Sequence, residues 1–542
     1  MTALICLAVS GTRASAGNPP GVDGSGGQAV AYHPGGSVIT DPVITGQAPS
    51  ARFYRTGFDG YEPTLGVDSS GAVFADAVTR TTSVASGSTV IASMNQGQTW
   101  NNTNVTLPAA NLTTHSETTD PYFYLDPTTN RIFLSDLKPP GQALSYSVDQ
   151  GKTYTNTVAG LSLGDHQTIF AGPPPTGGTP PVGYPNVVYD CAIATGLSVA
   201  AVTTSCEKSL DGGLTWARTG PSPAADAYAS GENSDPGDFG VPGNCEASTG
   251  HGYVGPDGTL YLGRGWCGQP WIAFSHDEGA TWTRVKVATN GMAKGWDGLI
   301  SHEAGVAADK FGNVYYTWVD HDRLPFLAVS RDGGKSWGSP LMIGPPGIKE
   351  TNLPGIELSS SGRVVMVYNG STNSPGAPFP GGEGPHFPPQ AGDCVPFVTC
   401  APPTAQYTNV TFNGYLTMTV DALDPNPVLY TASVNDPAHP LLKGVCGPDP
   451  ERCQVGDFVD DAIGPDGTPW GVFVDACSNA AAVKGGSCTF PGEAVIGRLV
   501  GGPSLLESTP PTSIAEAPLS VLLIPLAVVG AAVVGRRRRR QR

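Results

Sequence analysis

Apolar residues in this chain come in short alternating runs, each closed by a cluster of Gly, Asp, Asn or Ser. Trp271-Ile272-Ala273-Phe274 and Phe326-Leu327-Ala328-Val329 are two such runs. A period of two with turn-forming punctuation predicts strands joined by tight hairpins. The same turn recurs five times, as Ser93-x-Asn95-x-Gly97-x-Thr99-Trp100, Ser147-x-Asp149-x-Gly151-x-Thr153-Tyr154, Ser209-x-Asp211-x-Gly213-x-Thr215-Trp216, Ser275-x-Asp277-x-Gly279-x-Thr281-Trp282 and Ser330-x-Asp332-x-Gly334-x-Ser336-Trp337. The copies start 54, 62, 66 and 55 residues apart, which predicts a repeated module. In each copy the Asp or Asn can accept backbone N–H bonds and close an Asx-type turn. The Gly supplies positive φ, the Thr or Ser begins the returning strand, and the aromatic residue packs on the neighbouring module.

A second pattern precedes the turns: an acidic residue, a short strand, a Gly turn and another apolar strand. Glu62 to Phe74 and Glu303 to Tyr315 show it, as do Asp120 to Phe133 and His251 to Leu262 after Glu246. Gly355 to Val365 and Asp457 to Gly467 show it without the recurrent turn. Five modules with the turn and two without predict seven radial blades of four strands, an arrangement that removes free sheet edges. The turn resembles the Asp box, or BNR repeat, of the sialidase-like β-propellers, and the resemblance covers roughly residues 52–500. It implies an all-β fold, a β-propeller. Seven blades are expected, with six as the alternative because sialidases have six. It also implies that Asn95, Asp149, Asp211, Asp277 and Asp332 are structural, on the rim away from the ligand face.

Sialidase chemistry needs an arginine clamp on the substrate carboxylate, a Tyr–Glu nucleophile pair and an Asp acid/base. The family motif that supplies the first arginine is matched best by Tyr61-Glu62-Pro63, which puts Glu62 in the arginine slot; Arg55 is nearby but lacks the Pro spacing. The family segment Glu-Leu-Ser-Asp-Gly-Arg resembles Glu357 to Arg363, leaving Asn352 and Tyr368 where the catalytic Glu and the second Arg belong. Residues 407–435 contain no Arg. A glutamate in the clamp would repel a sialic acid carboxylate. The resemblance therefore implies the fold with the sialidase slots lost.

In a propeller the innermost strand of each blade starts near the channel mouth. Acidic residues recur at those starts, at Glu62, Asp120, Asp165, Glu246, Glu303 and Asp457, with His115, His166 and His302 beside them. Glu62, Asp120, Glu303 and Asp457 are candidate catalytic carboxylates, because a glycosidase works with a pair of acids. Asp165, His166, Glu246, His302, Arg264 and Arg323 are candidate binding residues. A ring of carboxylates also suits Ca²⁺ or another hard cation, and the same residue types cap strand starts. Trp266, Trp271 and Trp296 either stack on sugars or pack between blades.

Composition adds an address. Cys6 lies in an N-terminal apolar stretch, and the other ten of the eleven cysteines fall into neighbours: Cys191/Cys206, Cys245/Cys267, Cys394/Cys400, Cys446/Cys453 and Cys477/Cys488. Close pairs without zinc-ligand spacing predict local disulfides and an oxidising compartment. Residues 1–16 read as a signal peptide truncated at its start, since the basic n-region is missing. Residues 17–51 form an N-terminal extension, 52–500 the propeller and 501–517 a stalk. Residues 518–535 are an uncharged apolar run followed by Arg536 to Arg540, which predicts a transmembrane anchor and a cytoplasmic Arg-rich tail, 536–542. The Pro/Gly-rich segments from Ser371 to Gln406 and from Pro173 to Pro181 read as loop insertions. Net charge is −17 with six arginines in the tail, so the rest is near −23, which argues against nucleic acid as a partner. The expected protein is a monomeric cell-surface recognition module for an extracellular glycan, protein or cation; the alternative is an exo-acting glycoside hydrolase using channel carboxylates.

Overall fold

The computed structural model describes residues 23–81, 84–103, 121–138, 141–158, 164–195, 202–220, 249–266, 269–293, 304–376, 409–443, 458–476 and 492–506. The described strands form seven sheets. Their innermost strands are Leu65–Val67, Pro121–Leu125, Gly164–Gly172, Thr249–Val254, Gly305–Ala308, Glu350–Ser360 and Asp460–Ile463. Five sheets then add antiparallel strands outward in chain order, and the sixth and seventh do so until N-terminal strands complete them. Consecutive innermost strands touch, and the last packs back on the first, where Leu65 N donates to Asp460 Oδ2 at 2.8 Å. The sheets thus stand radially around one axis, the arrangement of a β-propeller.

Ring closure uses both ends of the domain. Strand Ser50–Gly60 runs along Gly492–Val500 in the seventh sheet, with Tyr54 opposite Ile496, and Asp23–Gln28 lies outside it. Val30–His33 and Ser37–Val38 instead extend the sixth sheet beyond Leu429–Ser433. The N-terminal extension is therefore woven into two adjacent sheets. Among the described residues the one α-helix is Pro42–Thr45, capped by Asp41.

The core is not central. It is divided into clusters pressed between neighbouring sheets, as when Phe74 and Val90 of the first sheet meet Phe123 and Leu134 of the second. The aromatic residue of each Asp box belongs to these seams. Trp100 packs with Tyr54 and Trp470 of the seventh sheet, Tyr154 with Phe74 of the first, and Trp216 with Phe133 and Tyr146 of the second. Trp282 joins Phe170 and Tyr189 of the third sheet, and Trp337 joins Tyr261 and Phe274 of the fourth.

The five boxes share one hydrogen-bond scheme. In the third sheet Ser209 Oγ donates to Asp211 Oδ1 at 2.8 Å and accepts from Gly213 N at 2.8 Å. Thr215 N and Oγ1 donate to Asp211 at 2.8 and 2.7 Å, and Trp216 Nε1 donates to Gly213 O at 3.1 Å. Asn95, Asp149, Asp277 and Asp332 hold the matching positions. The turn needs two left-handed residues, since Gln96, Gln150, Gly212, Glu278 and Gly333 have positive φ as well as the Gly that follows. At that extra position side chains reach the preceding sheet: Gln96 accepts from Arg498, Gln150 donates to Asp68, and Glu278 pairs with Lys208.

Cys191 and Cys206 face each other on neighbouring strands of the third sheet and form a disulfide. Cys6, Cys245, Cys267, Cys394, Cys400, Cys446, Cys453, Cys477 and Cys488 lie outside the described residues, as do residues 1–16, expected to be a signal peptide, the expected stalk beyond residue 506, the apolar run 518–535 and the tail. No helix among the described residues is long and apolar enough to cross a membrane; the segment 518–535, expected to form a membrane helix, lies outside them.

Candidate functional site

In each four-stranded antiparallel sheet the turn between the first and second strands lies on the same side as the Asp box. The first strands therefore start on the opposite, upper side, and local backbone marks that level. Glu62, His166 and Leu353 have φ of 47, 50 and 52°, a conformation that side chains resist. Pairing registers also shift there, between Asp165 and Thr168, Thr249 and Gly252, and Asn352 and Gly355. Bulges of this kind re-aim side chains beside sites. The sequence pattern finds the acids at these starts but carries no sign of the kinks.

Glu62 is 1 % exposed and His166 4 %, so both are enclosed at the upper end rather than displayed. Asp165 lies in strand Gly164–Gly172, its side chain outside the described set. Asp120, Glu246, His302, Glu303 and Asp457 fall outside the described residues, with His115 and Trp296. Trp271 is half-buried with the Lys286 ammonium 5.4 Å above its ring.

The described arginines near this end are internal. Arg55 Nη1 meets Asp475 Oδ2 at 2.8 Å and its other terminal nitrogen pairs with Glu493. Arg264 is 4 % exposed and donates to Thr204 Oγ1 of the preceding, third sheet at 3.3 Å. Burial, aided by Arg284, pushes its guanidinium down to about 9. Arg323 is 2 % exposed in the turn after Val314–Val319, and its carbonyl accepts from Thr351 N at 2.7 Å and Thr351 Oγ1 at 3.0 Å. Tyr368 is fully buried and bonds Thr417 at 2.8 Å, in a network that continues through Thr431 to Tyr32. Asn352 is likewise buried.

Below this level the axis opens into a cavity of ≈ 520 Å³. Every innermost strand contributes to its wall, through Leu65, Tyr122, Ile169, His251, Val306, Glu357 and Asp460 among others. It reaches the box side, because Pro127, Pro173, Pro256 and Gly464 of the first turns also line it. Above it Phe458, 2 % exposed, crosses the axis from the seventh sheet. Its ring meets Tyr122 at 5.4 Å, His251 at 5.3 Å and His166 at 6.4 Å, so one side chain touches the second, fourth and third sheets. Tyr122 Oη and His251 Nδ1 are 2.7 Å apart, and the same nitrogen is 3.8 Å from Asp460 Oδ1.

Three acids gather near this closure. Desolvation, with Asp460 adding repulsion, pushes Glu357 up to about 7. Burial raises Asp460, and raises Asp461 well above the usual range with help from Asp460 and Glu357. Asp461 is 4 % exposed and its Oδ2 has no hydrogen-bond partner. None of these three was singled out as a catalytic or binding candidate from sequence. Their signal was available, as the Asp460-Asp461 pair after Asp457 and as Glu357 in the family-like segment. No group of three or more His, Cys, Asp or Glu among the described residues is placed to hold a metal ion.

No family model matches the chain, and no curated protein matches it. Similar solved structures include the leech intramolecular trans-sialidase, 13 % identical over 81 % of this chain and 68 % of that one, with a TM-score of 0.36. The BP39L lectin from Burkholderia pseudomallei is 11 % identical over 78 % of this chain and 94 % of that one, with a TM-score of 0.43. The GH93 α-L-arabinofuranosidase of Fusarium graminearum is 10 % identical over 59 % and 92 %, with a TM-score of 0.34. Independently of these likenesses, radial sheets and five Asp-box turns define a β-propeller with Asp-box turns.

Proposed function

We propose that the protein is a cell-surface recognition propeller that binds an extracellular glycan or protein ligand without turning it over. The observation that carries this reading is the state of the arginines. Arg55 is tied to Asp475 and Glu493, and Arg264 and Arg323 are buried, so none of these three is displayed as a carboxylate clamp. Glu62 in the first arginine slot adds negative charge where a sialoside would need positive charge. The Cys191–Cys206 disulfide fits the oxidising exterior that this reading requires.

The test is turnover of a fluorogenic sialoside and a panel of neutral aryl glycosides by the purified protein, followed by a glycan array. The expected result is binding without release. Release of sialic acid would overturn the assignment of Glu62, Asn352 and Tyr368 as lost catalytic slots. Release of a neutral sugar alone would assign the protein to the glycoside hydrolases, with channel carboxylates as the acid/base pair.

A further inference from the structure

We propose that Asp190 and Glu207 form a proton-operated latch in the seam between the second and third sheets, firm while the pair holds a proton and loosened as rising pH draws that proton away. The latch lies in the body of the propeller and does not depend on what the upper face binds.

Pairing register sets the two acids against each other. Asp190 of strand Val187–Thr195 stands directly opposite Glu207 of strand Val202–Ser209. Opposite residues of an antiparallel pair share a face, with their β-carbons about 5 Å apart. That face is turned to the second sheet, because Val188, two residues before Asp190, packs with Phe133 and Leu144. Both acids are buried, Asp190 at 2 % and Glu207 at 3 % exposure. One residue along, Cys191 and Cys206 are opposite each other on the same two strands and joined by the disulfide. The covalent link pins this register, so the acids cannot slip past each other.

Little in the seam replaces water around them. Ser135 and Gln142 of the second sheet share the face of Phe133 and Leu144, and Gln167 Nε2 of the third donates to Ser135 O at 3.4 Å. All three are neutral. Asp190 Oδ1, Ser135 Oγ and both amide atoms of Gln142 are buried without a hydrogen-bond partner. Among the described residues Arg218 stands opposite Glu207, on the exposed outer strand Ala217–Arg218. Arg131, Asp126, Tyr146 and Tyr184 hold the Asp-box end of the same seam. Two ionised carboxylates face to face here would combine lost hydration with mutual repulsion. Burial, opposed in part by Ser135 and aided by Glu207, pushes Asp190 up to about 8. One proton on the pair ends the repulsion and supplies a donor inside the seam.

Opening the seam returns the acids to water. A carboxyl so freed gives up its proton from about pH 4 upward, whereas the closed pair keeps it to about 8. The seam is therefore firmest below about pH 4, loses ground with each pH unit up to about 8, and changes little beyond.

Hydrogen exchange of the full chain from pH 5 to pH 9, read by mass spectrometry and corrected for base catalysis, tests this. In the parent, opening of Val187–Thr195 and Ile132–Lys138 should rise by up to about tenfold per pH unit as far as pH 8 and then level. Strand Leu429–Ser433 of the sixth sheet is the internal control and should not follow. Asp190→Asn should flatten the rise, because an amide is neutral at every pH. Glu207→Gln should move the levelling to lower pH, because Asp190 loses its charged neighbour. A rise that survives in folded Asp190→Asn, an unmoved level in Glu207→Gln, an equal rise in the control strand, or flat exchange in the parent overturns the proposal. Each of these failures leaves the sialoside and glycan-array results untouched.

Discussion

Replacing Glu357 by glutamine tests the electrostatics of the channel without removing volume. Burial and Asp460 push this carboxyl from 4.5 to about 7 in the folded protein. An acid with a raised folded value holds its proton in the native state over a range where the unfolded chain has released it. Stability is therefore fully present below about pH 4.5, declines as pH rises, and stays low above about pH 7. A shift of that size corresponds to about 3 kcal/mol at pH 8, an upper figure because the cavity opens to water at its far end. Glutamine is neutral at every pH and keeps the side-chain shape. Thermal and urea unfolding of both proteins should be followed from pH 4 to pH 9. The variant should gain on the parent between about pH 4.5 and 7, and the difference should be flat on either side. Asp320 at about 7 and Asp190 at about 8 occur in both proteins and cancel in the difference, while Asp461, raised in part by Glu357, is relieved in the variant and adds in the same direction. A difference that does not change with pH, or that favours the parent as pH rises, would refute the reasoning.

Three further outcomes follow from packing and pairing. Phe458→Ala should cost about 3–5 kcal/mol by differential scanning calorimetry, because a buried ring in contact with Tyr122, His251 and His166 is lost; a cost under about 1 kcal/mol would mean that the ring does not close the axis. Arg55→Met should cost about 3–5 kcal/mol in urea unfolding, since Asp475 is left buried beside Glu493 without its cation. Cys191→Ser with Cys206→Ser should cost about 2–4 kcal/mol, and dithiothreitol should lower the melting temperature of the parent but not of that variant.

Much of the fold was legible because a local hydrogen-bond scheme was repeated. The Ser, Asp, Gly and Trp of each box are needed by one turn, and the turn occurs five times, so spacing alone exposed the modules. Less legible was closure. Ser50–Gly60 carries no box, and its partner Gly492–Val500 lies at the other end of the chain, so no local pattern could pair them. The crossing of Val30–His33 into the sixth sheet was invisible for the same reason. At the site, sequence named acids by their position at strand starts. Burial then sorted them in a way that composition does not encode: Glu62 is enclosed, whereas Glu357, half-buried and five residues past Asn352, reaches the axis. Arg264 and Arg323 were chosen for charge, and the fold buries both: the Arg264 guanidinium reaches Thr204 of the third sheet, and the Arg323 carbonyl accepts from Thr351 of the sixth.

The polarity of the axis follows from which sheets lack a box. Boxed sheets place Leu65, Ile169 and Val306 on the wall together with Asp126 and His251, while the two box-free sheets supply Glu357, Asp460 and Asp461. One sector of the wall is thus acidic and the rest largely apolar. Opposite that sector stands His251 of the fourth sheet, 3.8 Å from Asp460, with Phe458 over both. The His251–Asp460 contact spans the axis and offsets part of that charge, and no lysine or arginine among the described lining residues faces Glu357 or Asp461.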